Sequence, residues 1–454
     1  MEQHRCSCSC GASCCTGGGR QPRSLSARGT KALLPFSPYI QAMNEAKSFA
    51  WSPTNPHGYF LMATAESVLS FDLIHDKIRS CREIPPTAGL YSNFRGGQAL
   101  RNALAKMMQR TFMGVEIDPS HICISSGVTA VLDLFFFATC DPGDGCLIPA
   151  PYFPAFDNDM NIRNEVAPLP VQPKDTHTYI PTVAEMDAAV DEAAKRNVRA
   201  RVLLITNPGN PLGTLYPEAT LKELLLWAVR REMHVLSDEI YANSKFGTSE
   251  DEFVSLEKVA QNAVEEKLLS PEMVAEFVHT AYGMSKDFGM NGFRVGCLHT
   301  KNGDLLNLWQ NMGMFAAVSN DTQHALAVML QDDTFVDFYV EENKRRLKNS
   351  YNLLTSAFTS VKLNYMPACA AMFCWLDLRS LLTECTFEAE RALWKEILED
   401  CKVLLTPGEA CHYAEPGFFR VCYASMPPEH LQVACTRLTS FVEKKRRKRK
   451  LSSA

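Results

Sequence analysis

The sequence predicts an α/β protein: a large domain with a mostly parallel sheet covered by helices, plus a smaller α+β domain. Three observations predict it. Between about Ser120 and Thr300, short apolar runs alternate with helix-period segments, the pattern of a parallel sheet with crossover helices. After Asp304 the pattern turns helical. A chain of 454 residues, 46% hydrophobic and 21% charged, is long enough for two lobes with sizeable cores.

In chain order, residues 1–43 read as a flexible Cys/Gly/Arg-rich tail with five Lys/Arg and one acid, Glu2. Its Cys6, Cys8, Cys10, Cys14 and Cys15 can bind a soft metal, accept palmitate or do nothing; the unstructured reading is preferred, because no partners sit at zinc spacing. Strands are expected at His121–Ser125, Cys146–Pro149, Val202–Thr206, His234–Ser237, Phe277–Ala281 and Val295–Leu298. Helices include one beginning near Thr129 and Leu221–Arg231. Beyond Asp304, Leu305–Phe315, Gln323–Leu330 and Phe335–Phe358 read as helices and Ala371–Leu376 as a strand, with two more helical segments following. Lys444–Lys450 (KKRRKRK) opens a basic tail, 444–454, preferred as a solvated extension of the last helix over a nuclear signal or an RNA-binding patch.

Several classes are excluded. The most apolar stretch, Val131–Ala138, is too short to cross a bilayer and carries Asp133, so no membrane span is expected. Residues 44–443 hold 34 bases and 50 acids, a net of −16, a poor body for a nucleic-acid-binding domain; no nucleic-acid partner is expected. The start lacks a secretory core, and the 12 scattered cysteines beyond the tail read as small core residues of a reducing compartment. A cytoplasmic location is expected, although the Arg/Ser-rich start also suits an organelle transit peptide. No metal site is expected.

Five motifs end predicted strands, where open α/β sheets place ligands. SSGVTA (125–130) is a glycine turn into a helix, which gathers free N–H groups for a phosphate. NPGNPLG (207–213) pins Asn207 at a strand end, though Asn-Pro-Gly is also ordinary turn chemistry. SDEIY (237–241) places Asp238 at the end of a buried strand, where a carboxylate needs a cation or donor, with Tyr241 three residues on; an N-cap is the plainer reading. YGMSKDFGMNGFRVG (282–296) holds Lys286 at another strand end, a candidate amine nucleophile or a snorkelling surface lysine, and Arg294, a fork for phosphate. FFRV (418–421) buries Arg420 in an apolar strand, where it needs an anion such as a substrate carboxylate.

In this order, the motifs resemble the fold-type-I pyridoxal-phosphate (PLP) enzymes, the class I/II aminotransferases and, most of all, the 1-aminocyclopropane-1-carboxylate (ACC) synthase-like proteins. NPGNPLG, SDEIY, SKDFGMNGFRVG and FFRVCYA carry the likeness, together with Asn55–Ile74 and PAPYFPAFD (149–157); it covers roughly residues 50–440. The resemblance implies the PLP-transferase fold type I. It also implies a segment, 44–105, contributing to the small domain and the active site, a PLP-binding domain, 106–330, and a small domain, 331–443. By resemblance, Lys286 forms the internal aldimine and takes the Cα proton, beside Ser285, and Asp238 pairs with the pyridine nitrogen. Asn207 and Tyr241 bond the phenolic oxygen, Arg294 and the backbone of Val128 and Thr129 hold the phosphate, and Phe153 stacks on the ring, with its neighbour Tyr152 a weaker candidate. Arg420 clamps the substrate carboxylate, and Glu66 takes the place of an acid that helps choose the substrate.

Three departures stand out. Gly283 occupies the place of a phosphate-bonding serine, and Ala65–Leu69 (AESVL) replaces A-E-N-Q-L. Phe94 replaces the ACC-synthase tyrosine that reaches across the dimer, leaving Tyr91 as the nearby phenol. The resemblance therefore implies a homodimer with active sites at the interface, acting on a small α-amino acid through an external aldimine, with a 2-oxo acid as amino acceptor in transamination. β-Elimination of the cysteine-conjugate type, ACC formation from S-adenosylmethionine and a catalytically silent PLP fold are the rival readings.

Overall fold

Thirteen strands, taken in chain order, build three sheets in the computed structural model, which describes residues 24–33, 38–248 and 251–452. The cysteines at 6–15 lie outside the described residues. Residues 1–35 and 36–454 are separate units. In the first, the described helix Ala27–Lys31 is capped by Ser26, whose Oγ accepts from the Gly29 amide.

The strands of the second unit are β1 (Phe60–Leu61), β2 (Ile122–Ser125), β3 (Gly145–Pro149), β4 (Ala167–Val171), β5 (Ala200–Thr206), β6 (His234–Asp238), β7 (Val278–Gly283), β8 (Gly296–Thr300), β9 (Asn364–Met366), β10 (Phe373–Asp377), β11 (Val403–Leu404), β12 (Thr406–Pro407) and β13 (Phe418–Cys422). The large sheet runs β2-β8-β7-β6-β5-β3-β4, parallel except for β8, which is antiparallel to both neighbours. Alternation along its strands feeds two cores. Val202 and Leu204 of β5 enter one, with Ile148 and Leu236; Leu203 and Ile205 enter the other, with Leu147 and Val235. Helices cover both faces, among them Val128–Thr139 and Glu218–Val229.

The α/β expectation holds, with additions. β4 was not anticipated: Pro168 and Pro170 cannot donate to a ladder, and the strand survives because it lies at the sheet edge. The helix expected over Leu305–Phe315 is Gly303–Met312 followed by a tighter turn, Gly313–Ala316. A second, antiparallel sheet runs β12-β13-β10-β9, and β1 pairs in parallel with β11, tying the N-terminal stretch to the C-terminal one.

The last helix, Pro428–Ser452, runs straight through the boundary placed at residue 443. Its basic turns are partly docked rather than wholly solvated. Arg446 donates to the carbonyl of Lys362 at 3.2 Å, past the end of the long helix Asp333–Ser360, and Arg449 donates to Ser380 and Leu382 carbonyls at 2.7 Å each. Guanidinium groups here satisfy carbonyls at helix ends, which have no partner within their own helix. Among the described residues, no helix is long and apolar enough to cross a membrane.

Candidate active site

Three parallel strands, β5, β6 and β7, deliver their C-terminal ends to one cleft. Asp238 closes β6, pairs in register with Thr206 and Ala281, and is buried. Its Oδ1 accepts from the Ile240 amide at 3.3 Å. Burial pushes its carboxyl up to about 7, against that amide and the charge of Lys286. Lys286 stands in a single helical turn after β7, Met284–Asp287, and its Nζ donates to the Ala65 carbonyl at 2.6 Å. Burial, with the Arg420 charge adding to it, lowers the ammonium to about 8. Ser285, beside it, is buried.

A second group faces these from the small sheet. Arg420 lies on β13, 2% exposed. It donates to Asn210 Oδ1 at 2.9 Å, to the Ala63 carbonyl at 2.7 Å and to Thr406 Oγ1 at 3.2 Å, while its buried Nε has no partner. Its guanidinium lies 4.6 Å from the centroid of the Phe373 ring, which packs edge-on to Tyr241 at 5.6 Å. Asn210 Nδ2 completes the circuit by donating to the Tyr241 hydroxyl at 3.4 Å.

A third part is a cradle. Gly127 has φ +89° and starts the helix Val128–Thr139 without a side-chain cap. A Cβ at Gly127 would strike the Arg294 guanidinium, and one at Gly296 would lie 2.5 Å from the Val128 nitrogen. Uncapped helix amides beside an arginine are suited to a phosphate. A Cβ at Gly283 would sit 3.0 Å from both Val128 Cγ2 and the Val295 carbonyl, so a serine there would need its neighbours to shift. Anion cradle, poised amine and buried carboxyl together fit PLP, whose phosphate, aldehyde carbon and ring nitrogen call for these three partners. Among the described residues, no cluster of three or more His, Cys, Asp or Glu side chains is arranged to hold a metal ion.

Not every expected residue arrives. Asn207 does not reach Tyr241: its Oδ1 accepts from the Tyr216 amide at 3.2 Å and its Nδ2 donates to the Val254 carbonyl at 3.3 Å. Its side chain closes the loop after β5, and Asn210 is the asparagine bonded to Tyr241. Tyr152 is committed elsewhere, stacked on His412 at 4.6 Å and donating to Asp157 at 2.8 Å. Phe153 is half-buried and packs edge-on to Phe156 at 5.4 Å. Glu66 is exposed, and its charge acts on Lys286. Tyr91, 97% exposed, and Phe94 line a cavity of about 340 Å³ with Ser319, Asn320 and Gln323; Lys286, Asp238 and Arg420 do not line it. Sequence reasoning missed Asp159, on the helix Phe156–Asn161, whose carboxyl rises to about 7 through burial and the charge of Asp238. The only signal for it was an acid six residues past PAPYF.

The family model for aminotransferases of class I and II matches residues 65–438. The chain is 36% identical over 400 residues to 1-aminocyclopropane-1-carboxylate synthase 8 of Arabidopsis thaliana, covering 86% of this chain and 84% of that one. It is 36% identical over 420 residues to 1-aminocyclopropane-1-carboxylate synthase 2 of Solanum lycopersicum, covering 89% and 84%. Among solved structures, aspartate aminotransferase from Thermus thermophilus with maleate superposes with a TM-score of 0.75 at 21% identity, covering 92% of this chain and 100% of that one. That likeness concerns the fold alone.

Proposed function

The chain belongs to the class I and II aminotransferase family, and from that membership we propose that Lys286, Asp238, Asn210, Tyr241, Arg294 and Arg420 form one active site for a small α-amino acid, working by transamination. It is a PLP-dependent, ACC synthase-like enzyme. The observation that carries the site is the meeting of the Lys286 amine and the Arg420 guanidinium on the carbonyls of Ala65 and Ala63, two residues apart.

When bound, PLP supplies an aldehyde for the substrate amine and a ring that takes up the electron pair released at Cα. Arg294 with the Val128 and Thr129 amides would hold its phosphate, and Asp238 its ring nitrogen. Asn210 and Tyr241 would bond its phenolic oxygen. Phe153 remains the proposed stacking partner and Ser285 a proposed neighbour of the cofactor. Arg420 orients the substrate carboxylate, because its Nη donors are fixed by Asn210, Ala63 and Thr406. Lys286, lowered to about 8, has a usable free-amine fraction near neutral pH and can take the Cα proton and return it elsewhere.

The proposed assembly is a homodimer. Tyr91, Leu90 and Phe315 are 97%, 67% and 77% exposed on this chain, apolar side chains that a partner would cover. Tyr91 and Phe94 would then face the partner's cleft, and Glu66 its own substrate.

A second reading has specific support. The two plant relatives named above are ACC synthases, each 36% identical to this chain, so cyclisation of S-adenosylmethionine stands beside transamination, with β-elimination the further alternative. The discriminating experiment is a screen of amino acids against the purified holoenzyme in deuterated water with product identification. Cα exchange and a 2-oxo acid, with the amino group passed to an acceptor, support transamination. Free ammonia signals elimination, and ACC signals cyclisation. No exchange with any amino acid would leave a catalytically silent fold.

A further inference from the structure

The single turn that carries Lys286 is too short to hold itself in place, since a first helical turn forms at a net cost. What fixes it is the next residue. Asp287 is 1% exposed, and its carboxylate collects three donors: the Asn243 amide at 2.8 Å, the Ser244 hydroxyl at 2.5 Å and the Tyr282 hydroxyl at 3.1 Å. Asn243 and Ser244 follow Tyr241 by two and three residues. Tyr282 lies on β7, the strand that leads into the turn. The Asp287 carbonyl, in turn, accepts from Tyr339 and Asn343 of the long helix Asp333–Ser360, each at 3.2 Å.

We propose that Asp287 is a positioning residue: its carboxylate ties the segment bearing Tyr241 to the turn bearing Lys286 and so sets the spacing between the phenol and the amine. The inference rests on the reading of Lys286 and Tyr241 as cofactor-contacting residues. The Asp287 side chain hydrogen-bonds to neither of their side chains. Its carbonyl bonds and its carboxylate bonds do separate work, and only the latter bridge the two active segments.

That separation makes the test. Ser244→Ala removes one carboxylate donor and leaves the packing, whereas Asp287→Ala opens a buried hole and is the harsher variant. In purified holoenzyme, Ser244→Ala should shift the pH midpoint of the visible cofactor band and weaken PLP binding several-fold. It should also lower kcat about tenfold with KM within about twofold, as a small misplacement of reacting groups does. Tyr339→Phe, which loses only a bond to the carbonyl, should lower the thermal midpoint without moving the band. The proposal is overturned if Ser244→Ala leaves the band midpoint and kcat at wild-type values, or if Tyr339→Phe moves the band as much. Persistence of a reducible cofactor adduct in Lys286→Ala would instead refute the reading of Lys286, which keeps the two failures apart.

Discussion

Lys286 and Arg420 reach the same short piece of main chain: Nζ of the lysine donates to the Ala65 carbonyl at 2.6 Å, and Nη2 of the arginine to the Ala63 carbonyl at 2.7 Å. One stands in the turn after β7 of the large sheet, the other on β13 of the small sheet, 134 positions apart in sequence. The segment running on from β1 therefore spaces an amine and the guanidinium proposed as the carboxylate clamp. An α-amino acid carries its two reactive ends on one carbon, so that spacing decides whether both can be engaged at once.

The first prediction concerns the amine. Its ammonium, lowered to about 8 by burial and Arg420, is about one-tenth deprotonated at pH 7, where an ordinary lysine is a few hundredfold less so. The rate at which apoenzyme takes up PLP should rise with pH and reach half its maximum near 8. Lys286→Ala should abolish the visible cofactor band and leave the chain folded. A midpoint near that of free lysine would show that the amine is not held as described.

The second concerns the clamp. Arg420→Lys keeps the charge but loses the planar fork that spans Asn210, Ala63 and Thr406. KM for amino acids should rise about tenfold, equivalent to roughly 1.4 kcal/mol. An unchanged KM would mean that the carboxylate binds elsewhere.

The third separates two asparagines. Asn210→Ala breaks the link between Arg420 and Tyr241 and should raise KM and shift the pH dependence of the cofactor band, besides the stability lost when a buried guanidinium donor goes without its acceptor. Asn207→Ala leaves the Tyr216 amide and the Val254 carbonyl without their partner and should lower stability by about 1–3 kcal/mol. Denaturant melts and steady-state kinetics on both variants check this; a kinetic defect confined to Asn207→Ala would reverse the assignment.

That pair also marks how far the sequence could be read. Asp238 and Lys286 are legible because a charged group ending an apolar run has few structural uses. NPGNPLG holds two Asn-Pro pairs, and only the folded loop, closing on Tyr216 and Val254, determines which asparagine faces the cleft. β4 is illegible for a different reason: its two prolines argue against a strand everywhere except at a sheet edge, and edge position is a property of the sheet order. Tyr152 is aromatic and adjacent to Phe153, but its commitment to His412 and Asp157 depends on a residue 260 positions away.

The last prediction concerns the choice of reaction. The main chain at Phe94 packs so tightly against Gly313 that a Cβ there would strike its carbonyl, so the position of residue 94 is fixed by backbone contact and not by its own ring tip. A phenylalanine there keeps an aromatic face but offers no hydrogen bond, and Tyr91 stands out in solvent three residues earlier. Cyclisation requires a sulfonium-bearing chain to be aligned for internal attack, and such alignment is worth several kcal/mol of barrier, hundreds-fold or more in rate. Transamination needs the Cα proton removed and returned at another carbon, and elimination needs it removed and a β-substituent released; neither needs that alignment, and the proton step is the one proposed for Lys286. The purified protein should therefore form little ACC from S-adenosylmethionine while exchanging the Cα proton of some amino acid. Phe94→Tyr, which adds a hydroxyl without disturbing the contact at Gly313, should raise the ACC rate and leave that exchange within about twofold. Efficient ACC formation by the unmodified chain, lost on Tyr91→Phe, would transfer the missing hydrogen bond to Tyr91 and overturn the ranking of the reactions.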